Sequence, residues 1–339
     1  MVHLRIVAPS HQSGHAFDLL NASPSACNLV FLEGVARKPV GDVILCDVAR
    51  EDASVIISDL KELGVHREGS ISIEDIDSLI SVAAERAEEA APGAPSDAVV
   101  WEEVEARTSE NIELGVNFLG FMVIACLIAA TGVILDSPIL IIGAMVVGPE
   151  FGPIAGLCVA LVQRRMDVAR RSLAALVVGF PLGISAAFVF TLIAKWTGLI
   201  DEDFTASEHP LTGFISHPDT FSFLVAYFAG TAGVLSLTST KSGALIGVLI
   251  SVTTIPAAAN VGVSAAYQDW GEWRGAIAQL AVNLGAILLA GVTTLYLQRR
   301  LYRRRRLRHL SDESREAAGL PLGRSRRAGV GAGGTAPPS

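Results

Sequence analysis

The chain has 339 residues, half of them hydrophobic, with a formal net charge of −8. That length allows two domains, and the charge averages an acidic first third and a strongly basic end after Gln298. The apolar residues are concentrated between 115 and 298, which excludes a uniformly soluble globule and points to a soluble domain followed by a membrane domain.

Residues 1–8 hold His3 and Arg5 inside a short apolar stretch, so they read as a strand rather than a secretory leader, and the N-terminus is expected in the cytoplasm. The pattern to residue 76 is β-α-β-β-α-β: strands over 2–8, 28–32, 40–48 and 70–74, helices over 11–20 and 51–63, and a turn around 36–39. This order is the split βαβ, or ferredoxin-like, arrangement, a small α+β domain with two helices on one face of a four-stranded antiparallel sheet. Residues 1–76 are expected to fold alone and to pair with themselves. A hairpin centred between Ala36 and Arg37 would set Cys27 opposite Cys46. In a reducing compartment such a pair reads as packing rather than redox chemistry. The four cysteines show no metal spacing, and His11 with His15 lack a third ligand, so no metal or other cofactor is expected.

Residues 77–113 form an acidic, Ala-rich connector: a helix, a break at Pro92-Gly93-Ala94-Pro95, then an amphipathic helix from Val99. Six apolar runs follow within 114–298, over 116–135, 137–162, 172–194, 221–238, 243–266 and 276–297. Lipid satisfies no backbone polar group, so each is expected to be a helix. Arg164, Arg165, Arg170 and Arg171 lie after the second run, and an arginine run begins at Arg299 after the sixth. The 196–220 loop is acidic, with Asp201, Glu202, Asp203 and Glu208, and lacks Lys and Arg beyond Trp196. The positive-inside rule then puts both termini in the cytoplasm of a multi-pass plasma-membrane protein. The arginine run reads as a membrane-surface anchor rather than a nucleic-acid arm. The rest of 299–339 is expected to be largely disordered, and His209 with His217 form no specific metal pattern.

The two halves of the apolar region resemble each other. Gly132-Val133-Ile134-Leu135, Ile142-Gly143-Ala144-Met145 and the stretch from Pro149 match Gly233-Val234-Leu235, Gly243-Ala244-Leu245-Ile246-Gly247 and the stretch from Pro256. Three spans per half make the expected repeat inverted, with proline-interrupted second and fifth helices, as in secondary transporters.

Thr108-Ser109-Glu110-Asn111-Ile112-Glu113-Leu114, Asn117-Phe118, Ile142-Gly143-Ala144-Met145 with Pro149 and Pro153, and Asn283 resemble the bacterial and archaeal family called "uncharacterized hydrophobic domain" (domain of unknown function 389). The resemblance covers about 108–297 and implies the membrane architecture, with a small N-terminal α/β domain common in the family. It implies no activity. Glu150 departs from it, standing where the family pattern is usually apolar.

Glu150 is the one acid inside the six runs. A carboxyl at that depth is costly and marks a proton or cation site. Pro149 and Pro153 flank it and free helix carbonyls that could ligate a cation. Pro256 and Asn260 mark the counterpart in the second half, with Asn117 and Asn283 as further polar candidates. Gly148, Gly152 and Gly156 form a small-residue stripe suited to close helix packing. In an unbroken helix Glu150 would point away from that stripe; in a broken one it could cap the new end. The spans show no paired carboxylates and no G-x-S-x-G, so an enzyme is not expected. The reading is a transporter or channel for a small ion or metabolite with a cytoplasmic regulatory domain. The alternative is a membrane-anchored sensor or assembly protein whose soluble domain binds a ligand or partner. The expected partners are the lipid bilayer, an unidentified small solute or ion and further copies of the chain, with no nucleic acid.

Overall fold

The computed structural model describes residues 1–76, 78–91, 93, 98–200, 213–216, 218–239, 244–310 and 312–322; for 107, 110–111, 213–214, 244–253 and 308 only the backbone is described. Asp201, Glu202, Asp203, Glu208, His209, His217, Ala94, Pro95 and the tail beyond Leu322 lie outside the described residues. The chain forms two compact units, Met1–Glu103 with Arg299–Ser339, and Val104–Gln298.

In the first unit the strands are β1 (Val2–Ala8), β2 (Ala26–Arg37), β3 (Val40–Val48) and β4 (Ser70–Asp75), and the helices are α1 (Ser10–Ala22), α2 (Arg50–Glu62), α3 (Val65–Glu68) and α4 (Val82–Ala90). The sheet runs β2-β3-β1-β4 with every pair antiparallel. Alternation in β1 sends Val2, Leu4, Ile6 and Ala8 into the core, with Leu19 and Leu20 of α1 and Ile56, Ile57 and Leu60 of α2. Gly64, at φ +87, terminates α2 in the left-handed conformation that costs glycine nothing.

The hairpin register differs from the expected one. Arg37 pairs with Val40, and the ladder slips between Cys27 and Val30 and again between Leu32 and Ala36. Asn28 (φ +52) and Gly34 (φ +64) sit in these slips, where β2 carries extra residues. Cys27 therefore faces Asp47, not Cys46.

A second difference lies at the C-terminal end. The helix α12 (Trp270–His309) continues through the arginine run, and α13 (Glu313–Ala317) follows it. Residues 299–310 and 312–322 are thus ordered, against the expected largely disordered tail. Ala318 and Leu320, with Val100, join the hydrophobic core of the sheet domain. That core therefore draws on residues beyond 1–76.

The second unit takes up α5 (Trp101–Asn111) from Val104 onward, then α6 (Val116–Ile134), α7 (Pro138–Val147), α8 (Phe151–Gln163), α9 (Met166–Trp196), α10 (Thr220–Thr238), α11 (Ala244–Tyr267) and α12 to Gln298. Over their described residues the six expected apolar runs are helical, apart from a break at 148–150 in the second. Val116–Ile134, Met166–Trp196, Thr220–Thr238 and Trp270–Leu307 are each long and apolar enough to cross a membrane, and α7 with α8 makes a fifth if that bent pair is one span. These apolar helices make the chain a membrane protein. The interior is built largely from small side chains, among them Ala125, Ala129, Ala144, Ala187, Ala229 and Ala258, which allow close helix approach.

The proline sites behave differently. Pro138 opens α7 at its first turn, where a missing N–H is harmless. Pro149 pushes Gly148 out of the helical region, to φ −61 and ψ 124, and α7 ends there. Pro153 falls in the first turn of α8, and the two helices meet at 55°. Pro256 instead lies inside an unbroken α11, so the fifth run is not interrupted as expected. A single proline removes one helix hydrogen bond; a Gly-Pro pair with a second proline four residues on removes enough to break the rod.

Candidate functional site

The break between α7 and α8 positions Glu150. It occupies the N-cap position of α8 without donating or accepting a side-chain cap, and it is completely buried. Thr254 Oγ1 of α11 donates a hydrogen bond to Glu150 Oε1 at 2.8 Å, and Thr254 is itself fully buried. Thr254 stands two residues before Pro256. The two proline regions singled out in the sequence are therefore neighbours in space, joined by an acid from one and a hydroxyl from the other. Pro149 is half-buried and Pro153 buried.

The remaining candidates divide. Asn260 is buried and accepts from Ser264 Oγ at 3.3 Å on its own helix. Asn283 is buried and accepts from Gln279 Nε2 at 3.2 Å. Asn117 lies exposed in the first turn of α6, unlike the buried Glu150. The glycine stripe is cut by the break: Gly148 caps α7, and Gly152 opens α8. Gly156 sits in a true close contact, where a Cβ would come within 2.5 Å of Ile112 Cγ2 and 2.6 Å of Ser172 Oγ.

Thr254 escaped the sequence reading. Its signal was weak: one of three hydroxyls in residues 251–254 of a largely apolar helix. A second missed feature lies in the first unit. Asp59 of α2 is fully buried, ion-paired to Arg306 at 2.6 Å and to Arg315, itself fully buried, and lies 2.8 Å from His309 Nε2. Glu62 adds contacts of 3.4 Å to Arg306 and 3.2 Å to Arg315. Arg305 Nη1 donates to the Glu51 carbonyl at 2.6 Å, and Arg306 Nη1 to that of Val55 at 2.9 Å. The arginine run is therefore split by helical periodicity: Arg305 and Arg306 hold α2, while Arg300, Arg303 and Arg304 are exposed. Tyr302 packs beside Trp101 with ring centroids 6.3 Å apart.

Other titratable groups of this unit are set locally. The Ser13 hydroxyl, at 2.5 Å, and then the Gly34 amide, at 2.8 Å, hold the Asp42 carboxyl below its ordinary range. Burial raises Glu51. Burial also raises Cys27 and takes Cys46 up to about 12, so neither thiol supplies a thiolate at neutral pH. His11 pairs loosely with Glu68 at 3.8 Å. Among the described residues no three His, Cys, Asp or Glu side chains converge as a metal-ligand set.

Comparison with known proteins agrees with this architecture. Residues 145–289 match the family described as "Domain of unknown function (DUF389)". The match begins at Met145, so it takes in Glu150, Pro256, Asn260 and Asn283 and leaves Asn117 outside. The uncharacterized protein MJ0678 of Methanocaldococcus jannaschii is 23% identical over 204 residues, covering 57% of this chain and 58% of that relative. The match thus spans less than two thirds of the relative's length. No solved structure matches the chain. Through residues 145–289, the helical region of this chain is similar to the DUF389 family.

Proposed function

We propose that the protein is a secondary transporter or channel for a small ion or metabolite, with Glu150 as its proton or cation site. The observation that carries this reading is the buried Glu150 carboxyl at a helix break, hydrogen-bonded to Thr254 beside Pro256. A broken helix places unpaired backbone carbonyls within the apolar region, and an acid beside them gives a small cation a ligand set. A threonine hydroxyl can rotate to accept as well as donate, so Thr254 suits both the protonated and the ionised carboxyl. Such sites couple movement of a solute to a proton or a monovalent cation.

The architecture proposed around the site has six spans: α6, α7 with α8, α9, α10, α11 and α12. Each half then has three, which fits an inverted repeat. Both termini are cytoplasmic and the membrane is the plasma membrane. The arginines at the start of α9 and the end of α12 support that orientation. Trp196 at the other end of α9 and Trp270 and Trp273 at the other end of α12 support the span boundaries, being residues that favour the membrane–water interface on either side. Arg300, Arg303 and Arg304 anchor that end to the lipid surface, and no role with nucleic acid or as an enzyme is proposed. The β2-β3-β1-β4 antiparallel sheet supports a ferredoxin-like reading of this domain, taken here as a cytoplasmic regulatory domain. Exposed Val30, Leu32 and Val35 on the edge strand β2 support self-association into a homo-oligomer.

A second reading, a membrane-anchored sensor, draws on one observation: the last turns of α12 are ion-paired to α2 of the sheet domain, and α13 packs on α1 with Arg315 reaching Asp59. A ligand or partner bound there would act on the last apolar helix through an unbroken rod. The two readings separate in proteoliposomes loaded with a proton-sensitive dye and challenged with a panel of solutes. Transport is expected to change the internal pH on addition of at least one solute. Silence across inorganic ions, carboxylates and amino acids would favour the sensor.

A further inference from the structure

We propose that α9 holds one anionic phospholipid in a groove along its first turns. The groove has a volume of about 600 Å³ and is lined by Asp167, Arg170, Arg171, Leu173, Ala174 and Val177. All six are exposed and fall on one side of the helix at spacings of three and four. Charge lies at one end and apolar surface at the other. At 1.5 Å per residue the helix rises ~10 Å from Arg170 to Val177. One leaflet offers ~15 Å of hydrocarbon. A headgroup at the arginines therefore leaves the upper part of an acyl chain against Leu173, Ala174 and Val177.

The polar end is arranged for a single negative charge. Asp167 is engaged by Arg165 at 3.1 Å and by Arg171 at 3.9 Å. Arg165 also reaches Glu105 at 3.4 Å. Arg170 has neither an ion pair nor a hydrogen bond among the described residues. With Asp167 counted against Arg170 and Arg171, the groove carries one net positive charge. A phosphodiester carries one negative charge and offers oxygens that a guanidinium can grip in pairs. Phosphatidylglycerol fits this description. A zwitterionic headgroup brings its own cation towards the arginines, and a free phosphate leaves the apolar wall unused. This site lies on a different helix from Glu150 and does not depend on the transport reading.

The test is native mass spectrometry of the full chain in detergent, titrated with phosphatidylglycerol or phosphatidylcholine. The wild type is expected to retain one phosphatidylglycerol more tightly than any phosphatidylcholine. Arg170→Gln with Arg171→Gln should weaken that lipid roughly five-fold for each arginine removed. Val177→Trp, which fills the apolar wall and leaves the charges, should weaken it as well. Gel filtration and circular dichroism verify folding; if the double variant misfolds, Arg170→Gln alone and Val177→Trp decide. Equal retention of the two lipids, or wild-type retention by the variants, overturns the site. Displacement of the lipid by inorganic phosphate, with no effect of Val177→Trp, assigns the groove to a free anion and overturns the lipid.

Discussion

Two carboxylates in this protein are equally inaccessible, and their surroundings could hardly differ more. Asp59 and Glu150 are both completely buried. Around Asp59 stand Arg306, Arg315 and His309, drawn from α12 and α13. At Glu150 one hydrogen bond comes from the uncharged hydroxyl of Thr254. A buried carboxylate paired with two guanidinium groups serves as a fastener. A buried acid held by a hydroxyl can be satisfied with or without its proton, and so is suited to work.

The sharpest way to break that contrast is to remove the fastener. Asp59→Ala leaves Arg315 buried without its main partner and is expected to cost about 3–5 kcal/mol. Hydrogen exchange of α2 in the full chain should show lost protection there and at α13. Unchanged exchange would mean that the ion pairs merely decorate a dock made by Ala318 and Leu320.

A smaller effect is expected at Asp42, whose carboxyl is held low by Ser13 and Gly34. Its folded value lies below the ordinary one. Its stabilisation is therefore full above the ordinary carboxylate range and is lost as pH falls through the depressed value. Asp42→Asn should cost about 1–3 kcal/mol at neutral pH. The melting temperature of the variant should fall less on acidification than that of the wild type.

Glu51 should show the reverse sign. Burial raises it, so its stabilisation is full below the ordinary carboxylate range and fades as pH rises through the raised value. Glu51→Gln is expected to be slightly stabilising at neutral pH, by less than about 1 kcal/mol, and to flatten that part of the melting curve against pH. A clear loss of stability would mean that the ionised carboxylate is needed.

What the sequence revealed follows the range of each interaction. Strand alternation, apolar helix-length runs and the Gly148-Pro149 break are local, and all were legible to within a few residues. The register of β2 was not, because Asn28 and Gly34 add residues whose effect appears only when β3 is paired against them. The arginine run had a sufficient local explanation in the membrane surface, which concealed its second role. Its partners on α2 lie some 250 positions away, as in the contact of Arg306 with the Val55 carbonyl. Glu150 was legible as the lone acid of an apolar region. Its partner was not, because Thr254 is one ordinary hydroxyl until the fold brings α11 beside the break.

The central claim is that Glu150 titrates in the course of function. The direct test is Glu150→Gln, which keeps the shape and removes the proton exchange, assayed in dye-loaded proteoliposomes at acidic and neutral pH once a transported solute is found. The expected result is a folded, membrane-inserted protein whose flux no longer depends on pH. Retention of the wild-type pH profile by the variant would make Glu150 a structural residue and contradict the account.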